Sequence, residues 1–289
     1  MEVKMSRSAV SRPGRLVALA AAAALVVGAC GGAKITPEII YVTKAPATPV
    51  ATATPGATPD ASASGSATAS ASTPGSPAPT VSSTTVSQEA PDGRWTVTFQ
   101  KPVAGGVPTA AAMSNSITTK VNAYISSFTG SGLPAVSPPN GKSTLEGSYT
   151  VAYVSPTLLS LRFSVSTYIS GAAHPATEIG SINFNVLTGA VIQLPDLFTS
   201  TAAALPVLTT RAHAALTAAL GADLFWPATV TMADFGHAWA FTTTGLEVGW
   251  DQGEMAPMAA GPVSVVIPWA QLAPVILNPG PAAGFIAGP

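Results

Sequence analysis

The chain is poor in charge, in cysteine and in histidine, and each shortage excludes something. Charged residues make up only 9% of its 289 residues, and the formal net charge is −1. There is no basic excess to neutralise a phosphate backbone, so nucleic acid is not an expected partner. One cysteine, Cys30, excludes an intramolecular disulfide, so an exported domain must hold by its core alone. The three histidines, His174, His213 and His237, are scattered. With no cysteine beside them they predict no zinc set, and no cofactor is expected. The sequence has no HExxH, no paired-cysteine motif, no Gly-x-Ser-x-Gly elbow and no Walker-type phosphate loop. Asp234-Phe235-Gly236 spells a kinase triplet, but no glycine-rich loop or HRD block accompanies it.

What is present begins with an address. Arg7, Arg12 and Arg15 precede an apolar run, Leu16 to Ala29. At about 14 residues it falls short of the roughly 20 a helix needs to cross a bilayer. It ends in Val27-Gly28-Ala29-Cys30, which resembles a bacterial lipobox, with an aliphatic residue three before the cysteine and two small residues between. The thiol would carry the lipid, and its small neighbours would fit the signal peptidase. The expectation is a lipoprotein signal peptide at 1–29, diacylglycerol and palmitate on Cys30, and an extracytoplasmic chain anchored to the outer face of the cell membrane.

Residues 30–87 read as a disordered tether rich in Pro, Ala, Ser and Thr. Val42 to Arg94 contains no aromatic residue, and such a stretch cannot bury enough apolar surface to offset the entropy of ordering it. Fully extended, fifty such residues at about 3.1 Å each would reach on the order of 150 Å.

A folded domain is expected over 88–277. Arg94 to Gln100 puts Trp95, Val97 and Phe99 on one face of a strand, and Ile117, Val121, Ile125 and Phe128 recur at helical spacing. Tyr149, Val151 and Tyr153 alternate up to a Ser155-Pro156-Thr157 turn. Leu159, Leu161, Phe163 and Val165 then alternate with Ser160, Arg162, Ser164 and Ser166, which predicts one buried and one wet face. A Gly-Ala-Ala-His-Pro loop follows, then strands Ile182–Leu187 and Val191–Leu194 around a Thr188-Gly189 turn, with Pro195-Asp196 starting a helix. The stripe Leu205, Leu208, Ala212, Leu216 and Leu220 predicts that helix, with Pro206 in its first turn and Gly221 as its cap. Strands Ala238–Thr242, Leu246–Trp250 and Val263–Ile267 complete the domain, and 278–289 reads as a flexible tail. The predicted class is α+β, a mostly antiparallel sheet of about seven strands packed with two main helices.

Several blocks in order carry a family resemblance. Tyr168-x-x-Gly171-Ala172-Ala173-His174-Pro175, Asn183-Phe184, Thr188-Gly189 and Leu194-x-Asp196-Leu197-Phe198 resemble the C-terminal domain of RsiV-type anti-sigma factors. Phe241-x-x-x-Gly245-Leu246, the run Gly253 to Pro262 and Val265-x-Ile267-Pro268 are similar to its next blocks. The run Gly253 to Pro262 most resembles the secreted immunogenic proteins of mycobacteria, which carry glycine where many RsiV-type members have tyrosine. RsiV itself binds lysozyme outside the cell and is then cleaved, which frees a sigma factor. That mechanism needs a cytoplasmic sigma-binding segment and a membrane-spanning helix, and neither is expected here. The resemblance therefore implies the fold, an extracytoplasmic setting, and a protein or glycan ligand at the cell surface.

The functional expectation is a non-catalytic RsiV-type domain that binds an envelope or host ligand. The alternative is a hydrolase of wall polymer or lipid with His174 as base. Ligand contacts are expected at His174, in the loop Ser170 to Glu178, and at Glu254 and Met258, in the loop Asp251 to Pro262. Small residues admit a partner's backbone, and methionine offers an adaptable apolar contact. No residue is expected to be catalytic or to hold a metal, because His237 with Asp234 lacks a third ligand. An exposed pairing of Trp226 with Trp269 would favour a glycan.

Overall fold

The structure, a computed structural model, describes residues 40–42, 77–134 and 141–286. Cys30, the predicted signal peptide and most of the predicted tether lie outside them.

Among the described residues, eight strands form two sheets, accompanied by four α-helices. The first sheet runs in the order β2 (Thr80–Glu89), β3 (Trp95–Gly105), β4 (Ser143–Val154), β5 (Leu158–Tyr168), β6 (Ala176–Asn185). The second comprises β7 (Trp239–Phe241), β8 (Gly245–Trp250) and β9 (Val263–Pro268), all antiparallel. A further three-residue strand, β1 (Ile40–Val42), pairs in parallel with β9.

Most pairings are antiparallel, as expected, but the expectation of a single sheet is corrected. There are two sheets, and β3 pairs with β4 in parallel. The cause is α1 (Ala110–Thr129), which lies between them in sequence. A strand–helix–strand crossover returns the chain in its original direction, whereas a hairpin reverses it. The helix lays Met113, Ile117, Val121, Ile125 and Phe128 on the inner face of the sheet, against Phe99, Leu161, Phe163 and Val165. Each fully buried side chain of this size contributes about 1.5–3 kcal/mol.

The second sheet is covered by α2 (Thr201–Leu220), through Ala204, Leu208, Ala212 and Leu216. Ser200 caps that helix by accepting the Ala203 N–H at 3.1 Å. The helix starts at Thr201, after the 3-10 turn that holds Pro195 and Asp196, which leaves Pro206 inside it rather than in its first turn. Gly221, at φ +56°, ends it as predicted. The strand expected at Val191–Leu194 is reduced to one bridge, Phe184 to Val191, followed by a 3-10 turn at Leu194–Leu197.

Both expected limits of the domain move outward. β2 starts at Thr80, inside the stretch read as tether, and pairs along its full length with β3. Its Ser and Thr residues need no continuous apolar face, because the ladder with β3 holds them, and Val81 and Val86 pack against the core. At the other end Phe285 stacks on Trp269, with ring centroids 4.5 Å apart, and Ala282 is buried. One aromatic in a Gly, Pro and Ala run is enough to dock it.

Candidate functional site

The outer face of β5 and β6 was expected to be wet, and part of it is not. Ser160 and Asn183 are buried there because β7 docks its free edge onto them. Ser160 Oγ accepts the Phe241 N–H at 3.1 Å, and Ser181 Oγ accepts the Trp239 N–H at 3.0 Å. Asn183 Nδ2 donates to the Trp239 carbonyl at 3.0 Å, and Ser160 Oγ donates to Asn183 Oδ1. Side chains of one sheet thus stand in for the missing ladder partner of an edge strand in the other.

Beside this seam lies a cleft of about 160 Å³ between the sheets, lined among others by Ser148, Thr150, Ser164, Ile179, Ala240 and Val263. Arg162 of β5 reaches across it to Glu247 of β8, whose Oε1 also accepts Ser264 Oγ at 2.9 Å. Glu247 is only 6% exposed and Arg162 23%. The pair therefore joins the sheets in a low-dielectric setting, where loss of either partner is costly.

At the start of β6 the two predicted loops come together. Thr177 N–H donates to Gln252 Oε1 at 2.8 Å, and Gln252 N–H donates to the Thr177 carbonyl at 3.1 Å. Asp251 Oδ1 accepts the Ile179 N–H at 2.6 Å. Gly253, at φ +87°, turns the chain so that Glu254 Oε2 accepts the Asp251 N–H at 2.9 Å. A side chain at 253 would be strained at that φ, and its Cβ would come within 2.5 Å of Met258 Sδ.

His174, Glu254 and Met258 are all exposed. The ring of His174 takes up the carbonyl of its own neighbour Pro175, 2.9 Å from Nδ1. Of the three, Glu254 joins a cluster that the sequence reading missed. His237 Nε2 stands 3.8 Å from Asp251 Oδ1, and ligand-type atoms of His237, Asp251 and Glu254 all lie within 4.8 Å of one another. A separation of 3.8 Å exceeds hydrogen-bond length, so the coupling is that of nearby charges. The Asp251 carboxylate raises the pKa of His237, and burial opposes it. Burial raises Glu178 above the usual carboxylate range, with Asp251 adding to the effect and Lys120 and His237 opposing it. Burial lowers Lys120, and Glu178 and Asp251 hold it up.

A signal for this cluster did exist in the sequence. The hairpin pairs Trp239 with Val248. Counting outward along it sets His237 opposite Trp250, next to Asp251.

The other candidates resolve simply. His213 is exposed on α2 and packs on Trp226, 4.8 Å between ring centres. Asp234 accepts the Thr231 N–H at 2.6 Å and caps α3 (Met232–Gly236). Trp269 is buried in an aromatic stack with Phe241 and Phe285, and Trp250 is buried in phase with Leu246 and Val248. The condition set for a tryptophan-lined glycan groove is therefore not met.

These features define an α+β domain of two sheets, with a cleft between them and a polar loop cluster at one end. Residues 195–270, which span α2 and the second sheet, match the family model DUF3298, a protein family of unknown function. No curated protein matches the chain. The solved structure of a DUF3298 family protein from Pseudomonas aeruginosa is similar, with a TM-score of 0.51 at 15% identity over 68% of this chain and 94% of that one. A DUF3298 family member from Bacteroides fragilis has a TM-score of 0.47 at 15% identity, over 72% of this chain and 97% of that one. The first likeness bears on the fold.

Proposed function

We propose that the chain is a cell-envelope lipoprotein, held by lipid on Cys30 to the outer face of the cell membrane, and that its RsiV-type domain binds a protein or glycan ligand of the envelope or host without catalysis. The observation that supports this best is the meeting of the loops around Thr177 and Gln252, which gathers exposed and adaptable side chains at one end of a rigid sheet. The hydrolase reading required His174 to stand beside an acid. The ring instead takes up the Pro175 carbonyl, and the acids of this end gather around His237.

Two measurements test the reading. Cys30→Ala is expected to move the protein from the membrane fraction to the medium, or to leave it unprocessed. Normal membrane retention of a processed chain would refute the anchor. Retention on isolated wall polymer, membrane vesicles or host-fluid protein is expected to fall with His174→Ala and Met258→Ala. Retention unchanged by both variants would refute this surface.

A further inference from the structure

We propose that His237, Asp251 and Glu254 form a binding site for a divalent transition-metal ion. They come from two places in the chain: His237, two residues before β7, and Asp251 and Glu254, in the turn that follows β8. The fold brings their ligand-type atoms within 4.8 Å of one another. A second observation singles this group out from ordinary surface acids. His237 Nε2 has essentially no exposed area and no hydrogen-bond partner, and the nearest carboxylate oxygen lies 3.8 Å away. A buried imidazole nitrogen left unpaired is costly. An ion between it and the carboxylates would satisfy it, once the side chains close by about an ångström, since ligands about 2.0–2.2 Å from one ion lie roughly 3–4 Å apart.

Both carboxylates are already oriented. Asp251 Oδ1 accepts the Ile179 N–H and Glu254 Oε2 accepts the Asp251 N–H, while each retains lone pairs for an ion. The His237 side chain as a whole is 35% exposed and Glu254 lies at the surface, so an ion has a path in and room for water ligands. One imidazole with two carboxylates suits Zn²⁺ or Mn²⁺ better than the all-oxygen shell that Ca²⁺ prefers, and zinc should bind the tighter of the two. Lys120 acts against the ion, since its charge is felt by Asp251 and Glu178, and it keeps the affinity modest. Two charged groups of this surface, Lys120 and Glu178, thus tune a site that neither completes. The site depends neither on lipid nor on the proposed ligand.

The test uses the full-length protein carrying Cys30→Ala, so that its one thiol takes no zinc, stripped of metal by a chelator and held in detergent. Calorimetric titration with Zn²⁺ is expected to show saturable binding of about one ion per chain, and the ion should raise the melting temperature. Glu254→Gln keeps the turn's hydrogen-bond acceptor and should weaken binding by about tenfold or more, as should His237→Gln. Asp234→Asn and His174→Ala should leave it unchanged, and Lys120→Met should tighten it. Circular dichroism confirms that each variant is folded. The proposal is overturned if no saturable binding occurs, if binding survives both Glu254→Gln and His237→Gln, or if His174→Ala alone removes it.

Discussion

The two sheets solve burial differently. The five-stranded sheet keeps an apolar inner face under α1 and an outer face of Ser, Thr, Glu and Arg, part of which stays in solvent. The three-stranded sheet has no wet face, since every residue of β7 and β8 is buried. It lies between α2 and the outer face of its larger neighbour. The polar residues of β5 and β6 are thus not all there for water: Ser160, Ser181 and Asn183 satisfy an edge strand, and Arg162 meets the one acid in β8. The small sheet depends on the large one for hydrogen bonds and for charge balance, so the two should unfold together.

That dependence can be broken at graded points. Phe163→Ala in the first sheet and Phe241→Ala in the second each remove a buried ring, and each is expected to cost about 3–5 kcal/mol. Both should lower one shared urea midpoint. Separate transitions in either variant would show that the sheets are independent. Glu247→Ala removes the carboxylate on β8 that Arg162 pairs with across the cleft. Breaking a fully buried pair costs about 3–5 kcal/mol, and the residual exposure of Arg162 brings the expected loss to about 2–3. A loss below 1 kcal/mol would mean that the pair does not couple the sheets. Ser160→Ala leaves the Phe241 N–H without its acceptor at a buried seam, for about 1–2 kcal/mol. Glu146→Ala, on the solvent side of the first sheet, is expected to change stability by less than about 0.5 kcal/mol. Comparing Glu146→Ala with Ser160→Ala by denaturant titration separates the wet part of the outer face from the covered part.

Much of this architecture was legible from local pattern. The alternation of Leu159, Leu161, Phe163 and Val165 marks β5 and its buried face without any knowledge of what covers it. The spacing of Ile117, Val121, Ile125 and Phe128 marks α1, and Gly221 marks the end of α2. Harder to read was anything whose meaning lies in a partner distant in sequence. β2 has no apolar alternation and exists because β3 pairs with it. Phe285 looked like part of a loose tail because its partners, Trp269 and Phe241, are remote in the chain. At the candidate site, turn chemistry marks Glu254 and Met258, while nothing local marks His237, because Asp234, its neighbour in sequence, completes no set of ligands. The structure gives Asp234 to a helix cap and brings Asp251 and Glu254 to His237 instead.

The sequence by itself determined the local elements, since periodicity, caps and turns are set by residues within a few positions of one another. It also determined the charge balance and the single thiol, which limit partners and crosslinks whatever the fold. Only the tertiary structure decided that the strands divide into two sheets, that serines of β5 and β6 serve as docking groups, and that a histidine shares one small volume with two acids of a later turn. Those outcomes depend on which remote surfaces meet. Chain crossover and edge pairing settle that, and neither leaves a periodic mark on the residues involved.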